Sequence, residues 1–346
     1  MKNIINIFLE LVQIDSPSEE EQDMTLYVRK WLEKIGLSFD VDSAGAIVAK
    51  QLGVGPSTLF CVHMDTVNPG KGIKPKIKDG VITSSGNTIL GADNKAAVAA
   101  LMIAVEEYQA SEGEKKAFEL LFSIGEESGN GLGAFPFESI KSKQGFVFDA
   151  VSPIGTIVLR SPSICSFKAL YSGTASHSSV PEQGKNALIP ALQALSRIAI
   201  GKQDGGETMI NIGLIHGGTG VNTVPNQVAI EGEIRSYEKN LFDSHIKKIK
   251  TIFGDAKLTL SGFAPGYSHG ETSPLINKIK NIHTKLNIVS ICDSYSAVSD
   301  ANILNMKGIE TINIGDGVYN AHTNVEYIKK NDLLQLKDII LNLLNN

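Results

Sequence analysis

Three cysteines in 346 residues, Cys61, Cys165 and Cys292, are too few and too scattered for a disulfide framework, and their odd number points to a reducing compartment. No stretch approaches the run of about 18 apolar residues that a membrane-spanning helix needs. The opening residues, MKNIINIFLELVQIDSPSEEE, lack both a long apolar core and a small-residue cleavage site, so the sequence predicts a cytoplasmic protein. Positive charge is not in excess either. The 32 Lys and Arg against 37 Asp and Glu leave a net charge of −5, which removes the electrostatic basis for binding nucleic acid or an anionic membrane. Internal repeats and low-complexity tracts are absent. What remains is an ordinary globular composition, 42% hydrophobic and 20% charged, at a length that favours two domains over one, with small molecules or peptides as the expected partners.

Along the chain the apolar period switches between helix and strand. IINIFLELV and MTLYVRKWLEKIG carry helical spacing, the second expected to be capped by Ser18 in SPSEEE and stopped at Gly36. AGAIVAK, TLFCVH, AFELLFSIG, GFVFDA and IETINIGDG are apolar runs short enough to be buried strands. Asp79-Gly80 in IKPKIKDGVITS signals a tight hairpin, and NKAAVAALMIAVEEYQ predicts an Ala-rich helix of about four turns. Strands alternating with helices imply an α/β fold with a mixed, largely parallel sheet. Near residue 160 the texture changes. SICSFKALYSGTASH and NQVAIEGEIRSY alternate apolar with polar residues, while NALIPALQALSRIAI and LFDSHIKKIKTIF read as helices. This is the β-α-β-β-α-β order of a ferredoxin-like α+β insert. The expected organisation is a discontinuous domain, residues 1–162 and 272–346, interrupted by a second at 163–271.

The chemistry gathers at the expected strand ends. TLFCVHMDTV runs from an apolar strand into His63 and Asp65. Glu126 and Glu127 follow a second strand, Asp149 ends a third, His322 lies beyond a fourth, and Asp93 opens the Ala-rich helix. Ligands of open α/β sheets bind outside the carboxyl ends of the strands, so separate segments deliver His, Asp, Glu, Asp and His to one edge. That inventory suits two divalent ions, zinc with cobalt or manganese as alternatives, bridged by Asp93. Asp65, two residues from His63, is placed to accept the ring's other N–H and fix its orientation. Two adjacent glutamates repel unless their roles differ, so one is expected to ligate while the other moves a proton, and hydrolysis is the predicted reaction.

HMDT, GADNKAAVAA, GEESGNGLGA, FDA, ASHSS, GGTGVNTVPNQVAIEGEIR and AHTNVEY, in this order, resemble the dizinc aminoacylase and carboxypeptidase G superfamily of metallopeptidases, nearest its peptidase T-like branch. The likeness covers essentially the whole chain. It implies a catalytic domain with an inserted lid that often forms a homodimer. His63 and Asp149 would hold one zinc, Glu127 and His322 the other, and Asp93 would bridge through a cis Asp93–Asn94 peptide, with Glu126 the general base on a metal-bridging water. From the lid, His177 would reach the partner subunit's site to stabilise the oxyanion beside Asn222, and Arg235 would grip a substrate carboxylate. Relatives that cut at the carboxyl end or remove acyl groups usually have Glu where this chain has Asp149. The resemblance therefore implies an aminopeptidase of tripeptidase type, with a deacylase or carboxypeptidase as the alternative. SDANILNMKG around Asp300 also resembles this branch and is expected near the pocket.

Two other classes remain in view. GYSHG, residues 266–270, fits the G-x-S-x-G pattern with Asp300 and His322 following in the order of a serine-hydrolase triad, although Pro265 before Ser268 and the delayed helix after it fit poorly. A non-catalytic binding protein on the same fold would be expected to have lost ligands, and all five are present.

Overall fold

The computed structural model describes residues 3–129 and 131–346. The chain divides into two compact units: residues 1–159, 268–295 and 299–346 form one, and residues 160–267 with 296–298 form the other.

The first unit is built on a mixed sheet. Its strand order runs Ser38–Val41, Ile47–Gln51, Lys116–Ser123, Val54–His63, Gln144–Ala150, Glu310–Gly315, Thr156–Ser161. The four strands from Lys116–Ser123 to Glu310–Gly315 are mutually parallel, and antiparallel strands flank them. Four carboxyl ends therefore point the same way, and all the candidate ligands except Asp93 are on or just beyond them. The ends are held by aromatic packing a few residues below. Phe60 lies 6.3 Å from Phe118, 6.0 Å from Phe146 and 6.4 Å from Phe148 between ring centroids, tying three adjacent strands together beneath His63. Phe60 is fully buried, and its truncation to Ala costs about 3–5 kcal/mol by the usual large-to-small scale.

The Ala-rich helix spans Ala92–Ala110 and is buried around almost its whole circumference, with Ala96, Ala97, Ala99, Ala100 and Ala104 all inaccessible. Small side chains let neighbours approach from every side, so the helix packs at once on the central strands, on Ile4–Val12 and on Lys330–Asn345. The helix Gln22–Ile35 ends where expected, on Gly36 in the left-handed conformation (φ 72°). Its start differs from expectation. The N-cap is Glu21, and Ser18 instead donates from Oγ to Asp65 Oδ2 at 2.7 Å, because a long-range carboxylate outcompetes the local cap. Asp79 and Gly80, both with positive φ, turn the hairpin between Pro75–Lys78 and Val81–Ser84. This hairpin joins Tyr327–Lys329 and Val318–Tyr319 in a small sheet that supports the loop carrying His322.

The second unit is an antiparallel sheet in the order Gly201–Gln203, Thr208–Gly217, Gln227–Ser236, Ser163–Ser172, Lys257–Ala264. With the helices Leu188–Leu195 and Lys239–Ile252 it follows β-α-β-β-α-β order, with one extra short strand. Its core gathers Phe167, Tyr171, Ile230, Ile234, Phe242 and Phe253. No helix among the described residues is long and apolar enough to cross a membrane.

Candidate metal centre

Asp93 stands at the middle of the acidic site. It comes from the first turn of the Ala-rich helix, where it and Asn94 depart from helical backbone and the peptide between them is cis. Its Oδ1 lies 3.3 Å from His63 Nε2 and its Oδ2 lies 3.3 Å from His322 Nε2. On the first side Asp149 Oδ1 is also 3.3 Å from His63 Nε2, and on the second Glu127 Oε1 is 2.9 Å from His322 Nε2. Two groups result, His63–Asp93–Asp149 and Asp93–Glu127–His322, each with ligand atoms within 4.8 Å of one another and each using a different oxygen of the shared aspartate.

These residues fit divalent cations on an observation independent of motif. His63 Nδ1 faces Asp65, 3.1 Å from its main-chain oxygen and 3.3 Å from Oδ1, which leaves Nε2 as the ligand atom. His63 Nε2 and Asp93 Oδ1 are both buried, and neither has a hydrogen-bond partner among the described residues although they face each other and Asp149. Buried polar atoms left in this way are costly unless a cation accepts their electron pairs. The donor set is imidazole nitrogen and carboxylate oxygen with no thiolate, as zinc, cobalt and manganese take.

The charges agree. Burial works against charge on His63, yet the carboxylates of Asp149, Asp65 and Asp93 outweigh it and hold its pKa well above the usual imidazole range. Hydrogen bonds to Asp93 and Glu127 push His322 up to about 10. Burial would raise Asp93, but the facing rings of His322 and His63 hold it below the usual range. Burial, with Asp93 and Glu127 adding, pushes Asp149 up to about 7 against the pull of His63. Each half of the site thus concentrates negative charge around a ring nitrogen, an arrangement that favours positive charge there.

Asp65 organises more than His63. Its fully buried carboxylate accepts the Glu126 N–H on Oδ1 at 3.0 Å and the Glu127 N–H on Oδ2 at 3.1 Å, besides the Ser18 hydroxyl. One side chain therefore sets the turn that presents both glutamates. Burial opposes its charge, but the bond to His63 holds its carboxyl below the usual range. Glu126 belongs to neither ligand group; burial, and the nearby Asp149 carboxylate, place it well above the usual carboxylate range, as suits a group that takes up a proton and gives it back. His322 sits in the left-handed region at φ 64°, a conformation uncommon for a non-glycine residue.

Sequence reasoning gave no role to several supporting residues. Glu326 is buried and accepts the N–H groups of Leu90, Gly91 and Asp93 at 2.7, 2.8 and 3.1 Å, which shapes the loop delivering Asp93. Gly91 is left-handed (φ 67°), and a Cβ there would meet Thr66 Cγ2 at 3.2 Å. Asn94 Nδ2 donates to Phe148 O and Asp149 Oδ1, and Asn313 Oδ1 accepts the Asp149 N–H. The place of Glu326 four residues beyond His322 was the available signal. Asp300 is buried, taking hydrogen bonds from the Ser123 hydroxyl and, at 3.7 Å, from the Cys61 thiol.

His177, Asn222 and Arg235 belong to the second unit. The Ser179 N–H donates to His177 Nδ1 at 3.2 Å, so in the neutral ring Nε2 carries the proton. His177 pairs with Thr223 in an isolated bridge, next to Asn222, whose main-chain oxygen accepts the Ser178 N–H. Ser268 sits in a two-residue strand, and the next helix begins only at Pro274, so the strand-turn-helix of a nucleophile elbow is absent there.

The profile of peptidase family M20/M25/M40 matches residues 59–346. The uncharacterized protein YqjE of Bacillus subtilis strain 168 is 30% identical over 360 residues, covering 98% of this chain and 97% of its own. Among solved structures, aminopeptidase PepT of Bacillus cereus ATCC 10987 superposes with a TM-score of 0.90 at 29% identity, covering 99% of this chain and 98% of that one. A tripeptidase of Staphylococcus aureus subsp. aureus Mu50 superposes with a TM-score of 0.93 at 28% identity, covering 99% and 96%. Members of the family are typically dimetal. The matched span takes in both acidic groups, from the strand ending at His63 to His322, and the chain belongs to peptidase family M20/M25/M40 as a metallopeptidase.

Proposed function

We propose that this metallopeptidase removes residues from the amino end of short peptides, acting as a tripeptidase-like aminopeptidase. The observation that carries the reading is Asp93 shared between two ligand groups, with Glu126 held beside them and outside both. Two divalent cations, zinc before cobalt or manganese, would be held by His63, Asp93 and Asp149 and by Asp93, Glu127 and His322, and would supply Lewis acidity to the scissile carbonyl and to the attacking water. Glu126 takes the proton from that water and returns it to the leaving amine. Asp65 keeps His63 and the Glu126–Glu127 turn in register. The aminopeptidase assignment is supported by Asp149, where carboxypeptidase-like and deacylating relatives usually have Glu, and by the named activities of the two solved relatives.

Residues 163–271 serve in this proposal as the lid, closing over substrate to exclude water. The His177 Nε2–H, supplied by a partner subunit, stabilises the oxyanion with Asn222 nearby, and Arg235 grips the substrate's carboxylate. A homodimer through this unit is supported by Leu188, Ile189, Leu192, Leu214 and Ile215, apolar side chains left exposed on the helix Leu188–Leu195 and on the part of Thr208–Gly217 that lies past its pairing with Gly201–Gln203. The proposed location is the cytoplasm. The test is hydrolysis of free di- and tripeptides beside N-acyl amino acids by metal-stripped protein with and without zinc, manganese or cobalt. Metal-restored cleavage of peptides with free amino ends supports the proposal; cleavage of N-acyl substrates alone makes the enzyme a deacylase.

A further inference from the structure

The strand Gln227–Ser236 buries Val228, Ile230 and Ile234 and turns Glu231, Glu233 and Arg235 to its opposite face. That face is charge-paired within itself. Glu231 lies opposite Lys168 on the adjacent strand, and the Lys168 Nζ is 2.7 Å from its carboxylate. Glu233 takes Arg235: Nε donates to Oε1 at 2.9 Å and Nη2 to Oε2 at 3.2 Å, a two-pronged pair along one edge of the guanidinium. A third N–H, from Nη1, goes to the Ser296 carbonyl at 3.0 Å. Of the five N–H groups, one on each terminal nitrogen has no partner among the described residues. The pair is not sealed away, since the two side chains are 27% and 34% exposed.

An arginine that is to grip a substrate carboxylate thus already holds one. We infer that Glu233 is a specificity-determining residue that competes with the substrate's carboxylate for Arg235 and so limits how strongly the enzyme favours peptides whose free carboxyl end lies close to the scissile bond. The inference rests on the reading of Arg235 as the group that binds that carboxylate. An incoming carboxylate either shares the two remaining N–H groups and is weakened by the like charge of Glu233, or displaces Glu233 and has its affinity discounted by the fraction of Arg235 that is free. A peptide that places no carboxylate there, because it is longer or amidated, forfeits little. The native preference for a free carboxyl end is accordingly shallow.

The experiment compares KM and kcat for one tripeptide and its carboxyl-terminal amide in the wild type, Glu233→Gln, Glu233→Ala and Arg235→Met. For both Glu233 variants the KM of the free tripeptide should fall about three- to tenfold with kcat unchanged, while the KM of the amide stays put. Equal KM increases for both substrates, or an unchanged KM for the free tripeptide, would make Glu233 a structural partner of Arg235 and overturn the inference. Glu233→Gln keeps the side chain's shape and one acceptor oxygen, so it serves where Glu233→Ala does not fold. Arg235→Met tests the underlying reading separately. If it leaves the ratio of free to amidated KM at the wild-type value, Arg235 does not grip the carboxylate, whatever the Glu233 variants do.

Discussion

Replacing Asp65 by Asn preserves volume and removes one acceptor, which makes it a sharp probe of how the site is assembled. Both carboxylate oxygens are committed: Oδ1 to the Glu126 N–H and toward His63 Nδ1, Oδ2 to the Glu127 N–H and the Ser18 hydroxyl. However an amide is turned, its NH2 meets one of the two backbone N–H groups, leaving a buried donor unpaired at about 1–3 kcal/mol, and the surviving bonds lose the assistance of charge. A total loss of about 2–4 kcal/mol in folding stability follows. The turn carrying Glu126 and Glu127 loosens, and His63 loses the charge that orients it, so metal affinity should fall about 10–100-fold, as for other groups that position a ligand. Guanidinium unfolding of metal-free protein reads the first effect, and chelator competition reads the second. An Asp65→Asn protein with stability, affinity and turnover all within twofold of wild type would refute the reasoning.

Glu126→Gln should lower turnover by about 10²–10⁴-fold while metal content, counted by atomic emission, is unchanged; retained turnover would remove Glu126 as the base. Metal uptake should release a proton from His322. Its pKa is raised from 6.5 to about 10, so the stability it contributes to the metal-free protein is fully present below 6.5 and is lost as pH rises toward 10, and over that window metal affinity increases with pH. Titration calorimetry in buffers of different ionisation enthalpy measures the release, and uptake without protons would contradict it. Ala100→Leu should overpack the fully buried helix and destabilise by about 1–3 kcal/mol, read as a lower denaturation midpoint with unchanged slope.

What the sequence made legible is local. The apolar runs marked the four parallel strands, Asp79-Gly80 marked its hairpin, and Gly36 marked a helix end, because each depends on neighbours a few residues away. The gathering of His63, Asp93, Glu127, Asp149 and His322 could be anticipated because ligand sites lie outside the carboxyl ends of such strands. Contacts made across hundreds of residues could not. The place of Glu326 four residues beyond His322 hints at a role but not that its carboxylate will cap three N–H groups at residues 90–93, and nothing near Ser18 shows that Asp65 will take its hydroxyl from the expected helix cap. The engagement of Arg235 by Glu233 was within reach, since residues two apart share a strand face, yet the pattern alone does not say whether such a pair is made.

The account centres on two cations sharing Asp93. The most direct test is to titrate metal-stripped protein with zinc or manganese while following tripeptide hydrolysis. The account predicts no turnover without metal and full activity only at two equivalents per chain, with Asp93→Asn losing both. Turnover in the stripped protein, or saturation at a single equivalent, would contradict it.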